Sequence, residues 1–296
     1  MKPGFWIAPE GEAAAITLHP IGAPPEAAGR SATGAPAFLA TGAAEALIRA
    51  CPRVVAMLPE IAAALDTQSA AAPGRQFDVT GFSADETRLL GEVLGAGEVA
   101  ATAALPGGVV AQVQESVLAG LWRVRFLGPE GQHLADYVEV AAVPEVVRQA
   151  AALTAPAIVP GAPPEGAMPQ DPMPQDLMNV MPLLAEIADR MARWQPGVPA
   201  HVVNFSLLPM TPADMAYLQS CLGSGPVALA ASGYGACRVL ATGARHVWSV
   251  QYSNAGGEVV LDTLEIGDVP EAVLAADEDF RDSADRLREI AAAYFA

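Results

Sequence analysis

WRVRFLGPEGQHLADYVEVAAVPEVV (residues 122–147) and WSVQYSNAGGEVVLDTLEIGDVPEAV (residues 248–273) are one segment written twice, at an offset of 126. Trp122, Val124, Gly131, Asp136 and Glu139 recur as Trp248, Val250, Gly257, Asp262 and Glu265. Val143, Pro144, Glu145 and Val147 recur as Val269, Pro270, Glu271 and Val273. Upstream, residues 77–100 match 205–228 at an offset of 128, through Phe77, Leu90, Leu94, Gly95, Gly97, Val99 and Ala100. The two stretches together give 16 identities over 50 positions, which marks a tandem duplication of one long unit rather than a solenoid of short ones.

Each copy reads the same way. Ser83 with Glu86, and Thr211 with Asp214, have the spacing of a helix-opening capping box, and Gly95 or Gly223 supplies the stop. Short β-like runs follow at 98–102, 109–117, 121–127 and 133–140, mirrored at 226–231, 236–241, 246–252 and 258–266. Trp122, Val124 and Phe126 alternate with Arg123 and Arg125, the period of a strand with one buried face. Pro144-Glu145 and Pro270-Glu271 suit a helix's first turn. Helical segments precede each copy, at 43–65 with breaks or kinks at Pro52 and Pro59, and at 177–194. A last helix is expected within 271–296.

The expected fold is therefore α+β: two tandem similar modules, each an antiparallel β-sheet flanked by helices, with pseudo-twofold duplication. The expected organisation is a weakly ordered arm at 1–36, a first module at 37–152, a Pro-rich linker at 153–176 and a second module at 177–296.

Composition narrows the function. Sixteen Lys and Arg against 33 Asp and Glu give a net charge of −17, unsuited to general nucleic-acid or anionic-membrane binding. Mean hydropathy is +0.30, yet Ala, Gly and 26 prolines leave no run of the roughly 20 apolar residues that span a bilayer. Pro3, Pro9, Glu10 and Glu12 spoil a secretory signal, and three scattered cysteines fit reduced thiols, so a cytoplasmic location is expected. No Gly-x-Gly-x-x-Gly follows a strand, no Walker lysine is present and no His/Cys spacing fits zinc. No catalytic residue, metal or cofactor is assigned.

Ser-Gly-Tyr-Gly-Ala-Cys-Arg (232–238) is the local candidate for a site. Gly233 and Gly235 permit tight backbone, Tyr234 offers a ring and a hydroxyl, and Arg238 beside Cys237 would lower a thiol pKa. The simpler reading of the same residues is a tight hairpin turn leading into strand 236–241, with Cys237 as a small core residue. The first copy has Leu-Pro-Gly-Gly-Val-Val (105–110) there, so any role belongs to the second copy alone. Tyr252, Asn254, Asp262 and Glu265, on the neighbouring strand runs, complete the candidate partner-binding set. The acidic run Asp277, Glu278, Asp279, Asp282 and Asp285 is either a solvated face or a surface for a basic peptide.

The second copy resembles the C-terminal region of the HupH/HyaF family of hydrogenase expression/formation proteins. The resemblance rests on LLP (207–209), LGSGPV (222–227), GYGACR (233–238), VWSVQY (247–252), LDTLEIGDVPE (261–271) and DSADRL (282–287), in that order, and covers about 40–292. Ala236 and Asp262 stand where the family often has Asn. The resemblance implies a non-catalytic maturation chaperone for the nickel–iron hydrogenase small subunit, acting in the cytoplasm before export. Its implied partners are the small-subunit precursor, with its twin-arginine signal, and a thioredoxin-like hydrogenase accessory protein. Two other readings stand beside it: a thiol-dependent enzyme or iron–sulfur carrier using Cys237, and a scaffold joining other maturation factors.

Overall fold

A computed structural model describes residues 42–159, 177–233 and 235–295. The arm at 1–36 and most of the Pro-rich linker lie outside the described residues. In chain order the elements are α1 (Gly42–Ala50), α2 (Pro52–Thr67), β1 (Arg75–Asp78), α3 (Ala84–Leu94), β2 (Val99–Leu105), β3 (Val109–Glu115), β4 (Leu121–Leu127), β5 (His133–Val140) and α4 (Glu145–Ala151). The second copy repeats the pattern as α5 (Val180–Arg193), β6 (His201–Asn204), α6 (Pro212–Leu222), β7 (Ser224–Ser232), β8 (Ala236–Thr242), β9 (Val247–Ser253) and β10 (Val259–Ile266), and α7 (Asp277–Tyr294) closes the chain.

The strands pair identically in both copies, and every pairing is antiparallel. The first copy runs β1-β5-β4-β3-β2 and the second β6-β10-β9-β8-β7. The fold is α+β, as the duplication requires. Both capping boxes form. Ser83 Oγ accepts from the Glu86 N–H at 3.2 Å while the Glu86 carboxylate accepts from the Ser83 N–H at 2.8 Å. Thr211 Oγ1 and Asp214 exchange the same pair of bonds, each at 3.0 Å. Such a cap is worth about 1 kcal/mol. Asp214 is fully buried, and its other oxygen accepts from the N–H groups of Met178, Asn179 and Val180, so one carboxylate serves the start of α5 as well as α6.

Pro52 opens α2, Pro59 lies inside it, and Cys51 separates it from α1. Pro270-Glu271 leads only a short 3₁₀ turn, Glu271–Val273, not a helix. The single-faced strand reading also changes. In β4 both faces are buried: Leu121, Trp122 and Val124 are at most 1% exposed and Arg123 only 4%. Leu121, Val138 and Val140 meet helices on one face, and Trp122 on the other donates from Nε1 to the Ala141 carbonyl at 2.8 Å.

The larger difference concerns α7. Sequence order groups it with the second copy, but packing groups residues 42–145 with 274–295 in one compact unit, and 146–159 with 177–273 in the other. Phe280, Ala284, Leu287 and Ile290, spaced 3 and 4 apart, form one stripe of α7 and join the core of Val54, Leu58, Ile61 and Leu65 from α2. Gly120 makes this possible: a Cβ there would lie 2.4 Å from Cε1 of Phe280. Ser283 Oγ donates to the Ala119 carbonyl at 2.9 Å, and the Asp277 carboxylate accepts from the Ala70 N–H at 2.7 Å.

The other unit has its own core, with Val180, Leu184, Ile187 and Met191 of α5, Leu218 and Leu222 of α6, and Val203, Leu240, Val247, Leu264 and Ile266 of the sheet. Residues beyond α4 belong to it. The Ala155 N–H donates to the Gly243 carbonyl at 2.8 Å, and Ala155 accepts from the Arg245 N–H at 2.8 Å. Arg148 pairs with Asp268.

Candidate functional site

The candidate residues of the second copy fall on both faces of β8–β9–β10. Cys237 stands opposite Tyr252 in the ladder, and Val250 stands opposite Thr263, so Cys237, Tyr252 and Glu265 share one face. Arg238 stands opposite Gln251, and Gln251 opposite Asp262, on the reverse face. Gly233 and Gly235 form the β7–β8 hairpin, where the Gly233 N–H donates to the Gly235 carbonyl at 3.0 Å. A Cβ on Gly235 would sit 2.5 Å from the Ser253 carbonyl oxygen, so the strand edge itself requires glycine there. Tyr234 lies outside the described residues.

The Cys237 thiol is buried and bonded to the Tyr252 hydroxyl. Burial pushes it up to about 11; the Tyr252 hydrogen bond works against that rise, and the Glu265 carboxylate adds to it. Burial likewise raises Tyr252 to about 12, helped by Cys237 and Glu265. Glu265 is itself raised by burial, opposed by the Thr263 hydroxyl and reinforced by Glu271. Arg238 points to the opposite face, so the expected lowering of the thiol by its guanidinium does not operate. At neutral pH the Cys237 thiol and the Tyr252 hydroxyl both keep their protons, the reverse of an activated thiolate.

Asn254 is a turn residue: its Oδ1 accepts from the N–H groups of Gly256 and Glu258 at 2.9 and 3.0 Å. Asp262 is 8% exposed, with Gln251 Nε2 at 3.4 Å. The structure thus brings Cys237, Tyr252 and Glu265 together, sets Arg238 and Asp262 behind them, and leaves Asn254 in the turn beyond.

Two groups of the first copy escaped the sequence reading. One is Glu115, at the end of β3, accepting from the Gly120 N–H at 3.3 Å. Burial drives its carboxyl to about 7 against the hydrogen bonds from Gly120 and Val99, with Asp279 and Glu98 adding to the rise. The other is Asp136, whose Oδ2 accepts from Arg123 Nη2 at 2.9 Å and Arg125 Nη2 at 3.1 Å. Their signal was the pair of arginines inside an apolar strand. Among the described residues, the three cysteines are buried and none forms a disulfide, and no group of three or more His, Cys, Asp or Glu side chains gathers as a metal ligand set. Nor is any described helix long and apolar enough to cross a membrane.

Fold and site define a class: a tandem α+β duplication in which the second copy alone carries the glycine–cysteine–arginine hairpin. The family model described as "HupH hydrogenase expression protein, C-terminal conserved region" matches this chain at 53–156 and again at 177–294. The chain is 54% identical over 295 residues to a Rhizobium leguminosarum bv. viciae protein, "Hydrogenase expression/formation protein HupH", covering 100% of both chains. It is 38% identical to "Hydrogenase expression/formation protein HoxQ" of Cupriavidus necator, over 79% of each chain. To "Hydrogenase-1 operon protein HyaF" of Escherichia coli K12 it is 32% identical, over 81% of this chain and 80% of that one. The solved structure "Hydrogenase expression protein HupH from Thiobacillus denitrificans" is 32% identical and covers 38% of this chain and 92% of its own, with a TM-score of 0.35. The chain belongs to the HupH/HyaF family of hydrogenase expression/formation proteins.

Proposed function

We propose that this protein is a non-catalytic assembly chaperone for the small subunit of a nickel–iron hydrogenase, holding the precursor in the cytoplasm before export. The observation that carries this reading is 54% identity along the whole chain to a hydrogenase expression/formation protein. A maturation role follows from the family; the small subunit as client and the chaperone activity are our inference.

Two physical features support it. The unit of 42–145 with 274–295 holds 9 arginines against 19 carboxylates, a net of −10, while the other holds 5 against 8, a net of −3. On α7, Asp277, Glu278, Asp282, Asp285 and Glu289 are all exposed. Such a surface attracts a basic signal segment and steers its approach. In addition, the buried Cys237 thiol, held near 11, favours a structural cysteine over the thiol-enzyme or cluster-carrier reading. A scaffold that also engages the thioredoxin-like accessory protein is compatible with the same surface.

The test is co-purification. The tagged full chain, drawn from cells expressing the hydrogenase, is expected to retain the small-subunit precursor with its signal, and to lose it progressively as salt rises. Failure to retain the precursor at every salt concentration overturns the proposal.

A further inference from the structure

The first copy buries more positive charge than it neutralises. Arg123 is 5% exposed in its side chain and Asp136 is 6% exposed, while Arg125 is 24% exposed. The Asp136 carboxylate takes Nε and Nη2 of Arg123 at 3.4 and 2.9 Å and Nη2 of Arg125 at 3.1 Å. The Thr80 hydroxyl, bonded to the Asp136 N–H at 3.1 Å, fixes that strand position. Among the described residues, Nη1 of Arg123 and Nε of Arg125, both buried, have no hydrogen-bond partner. One carboxylate therefore faces two guanidiniums and leaves one charge and two donors over.

An unbalanced guanidinium inside a protein is costly, and guanidinium forks match planar oxyanions with parallel bonds. The open side of the cluster runs along Arg125 and His133, the latter 43% exposed with Nε2 3.9 Å from Asp136 Oδ2. The second copy is built otherwise. Ser249 and Gln251 stand where Arg123 and Arg125 stand, so no excess charge faces Asp262 there.

The geometry points to a carboxylate-binding site in the first copy, formed by Arg123 and Arg125 around Asp136. A carboxylate supplies the single negative charge that is missing, whereas a phosphate group, carrying about −1.5 to −2 at pH 7, overshoots it. The carboxylate can come from a small free acid or from the end of a polypeptide.

Calorimetric titration of the full chain with sodium acetate, in chloride buffer at fixed ionic strength, is expected to show saturable binding. Arg125→Gln, the residue the second copy already carries at this position, is expected to weaken it about ten- to hundredfold, the value of a charged hydrogen bond. Asp136→Asn, which removes the resident competitor, is expected to tighten it. The peptide Gly-Ala-Ala with a free C-terminus is expected to bind, and its C-terminal amide is not. A peptide that binds more tightly than acetate makes a chain terminus the source; one that binds no better makes it a small acid. Absence of saturable acetate binding, unchanged affinity in Arg125→Gln, or binding of inorganic phosphate without acetate overturns the site.

Discussion

Gly120 and His246 occupy the same place in the two copies, 126 residues apart at the turn into the tryptophan strand, and both have positive φ, +78° and +65°. Gly120 lies under the Phe280 ring, with no room for a Cβ. His246, the one non-glycine residue with positive φ among those described, stacks its ring on Trp194 at a centroid distance of 3.7 Å. One backbone solution serves two different covers: a returning helix in one copy, an aromatic pair in the other.

Substitution at the pair should therefore be asymmetric. Gly120→Ala adds both a left-handed alanine and an overlap with Phe280, and is expected to lower unfolding free energy by about 2–4 kcal/mol. His246→Gly relieves strain of about 1 kcal/mol and loses a stack of similar worth, so it should stay within about 1 kcal/mol of the parent. Urea unfolding of the two variants measures both.

Phe280→Ala empties the place where the start of α7 covers Gly120. The expected loss is about 3–5 kcal/mol, as for other buried aromatic truncations. Hydrogen exchange should localise it: amides of α2 and α3 lose protection, those of α5 and α6 keep theirs.

Glu115 gives stability a defined pH limb. Its folded pKa, about 7, lies above the ordinary carboxyl value of 4.5, so the folded state holds the proton longer than the unfolded chain. Between pH 4.5 and 7 the unfolded chain binds fewer protons, and stability from this group falls as pH rises, by about 3 kcal/mol at most. Above pH 7 the loss is complete. Glu86, held at about 2 by Arg53 and the Ser83 cap, acts oppositely: its contribution is present above pH 4.5 and fades as pH falls toward 2. Glu115→Gln should make the decline between 4.5 and 7 shallower, as pH-resolved unfolding curves would show.

Cys237→Ser should leave hydrogenase maturation intact, measured as hydrogenase activity of complemented cells. With the thiol near 11, the native protein should also react slowly with iodoacetamide at pH 7, and readily once unfolded. A maturation defect in a folded Cys237→Ser protein would restore the thiol reading.

The local code was legible where neighbours in sequence decide the outcome. Both capping boxes, the glycine stops at Gly95 and Gly223, and the meander strands follow from residues a few positions apart. The four-residue strands β1 and β6 were not legible, because Arg-Gln-Phe-Asp and His-Val-Val-Asn are too short to show a period and are fixed by pairing with β5 and β10. Nor was the partner of α7, since an apolar stripe says that a helix is covered but not by what. At the candidate site, the clustering of glycines with Cys237 and Arg238 was visible. Adjacent residues on a strand face opposite ways, so Arg238, next to Cys237 in the chain, turns away from it.

Synthesis gives the placement of α7 a consequence in time. The core of residues 42–145 is completed by residues 275–290. At about 5–20 residues per second, the ~150 residues between Val140 and Ile290 take roughly 10–30 s to translate. Through that interval Val54, Leu58, Ile61 and Leu65 of α2 lack their α7 partners, and a chain that stops before α7 never gains them. The returning helix thus works as a mark of progress: only a message read through Ile290 yields a first copy with its core filled.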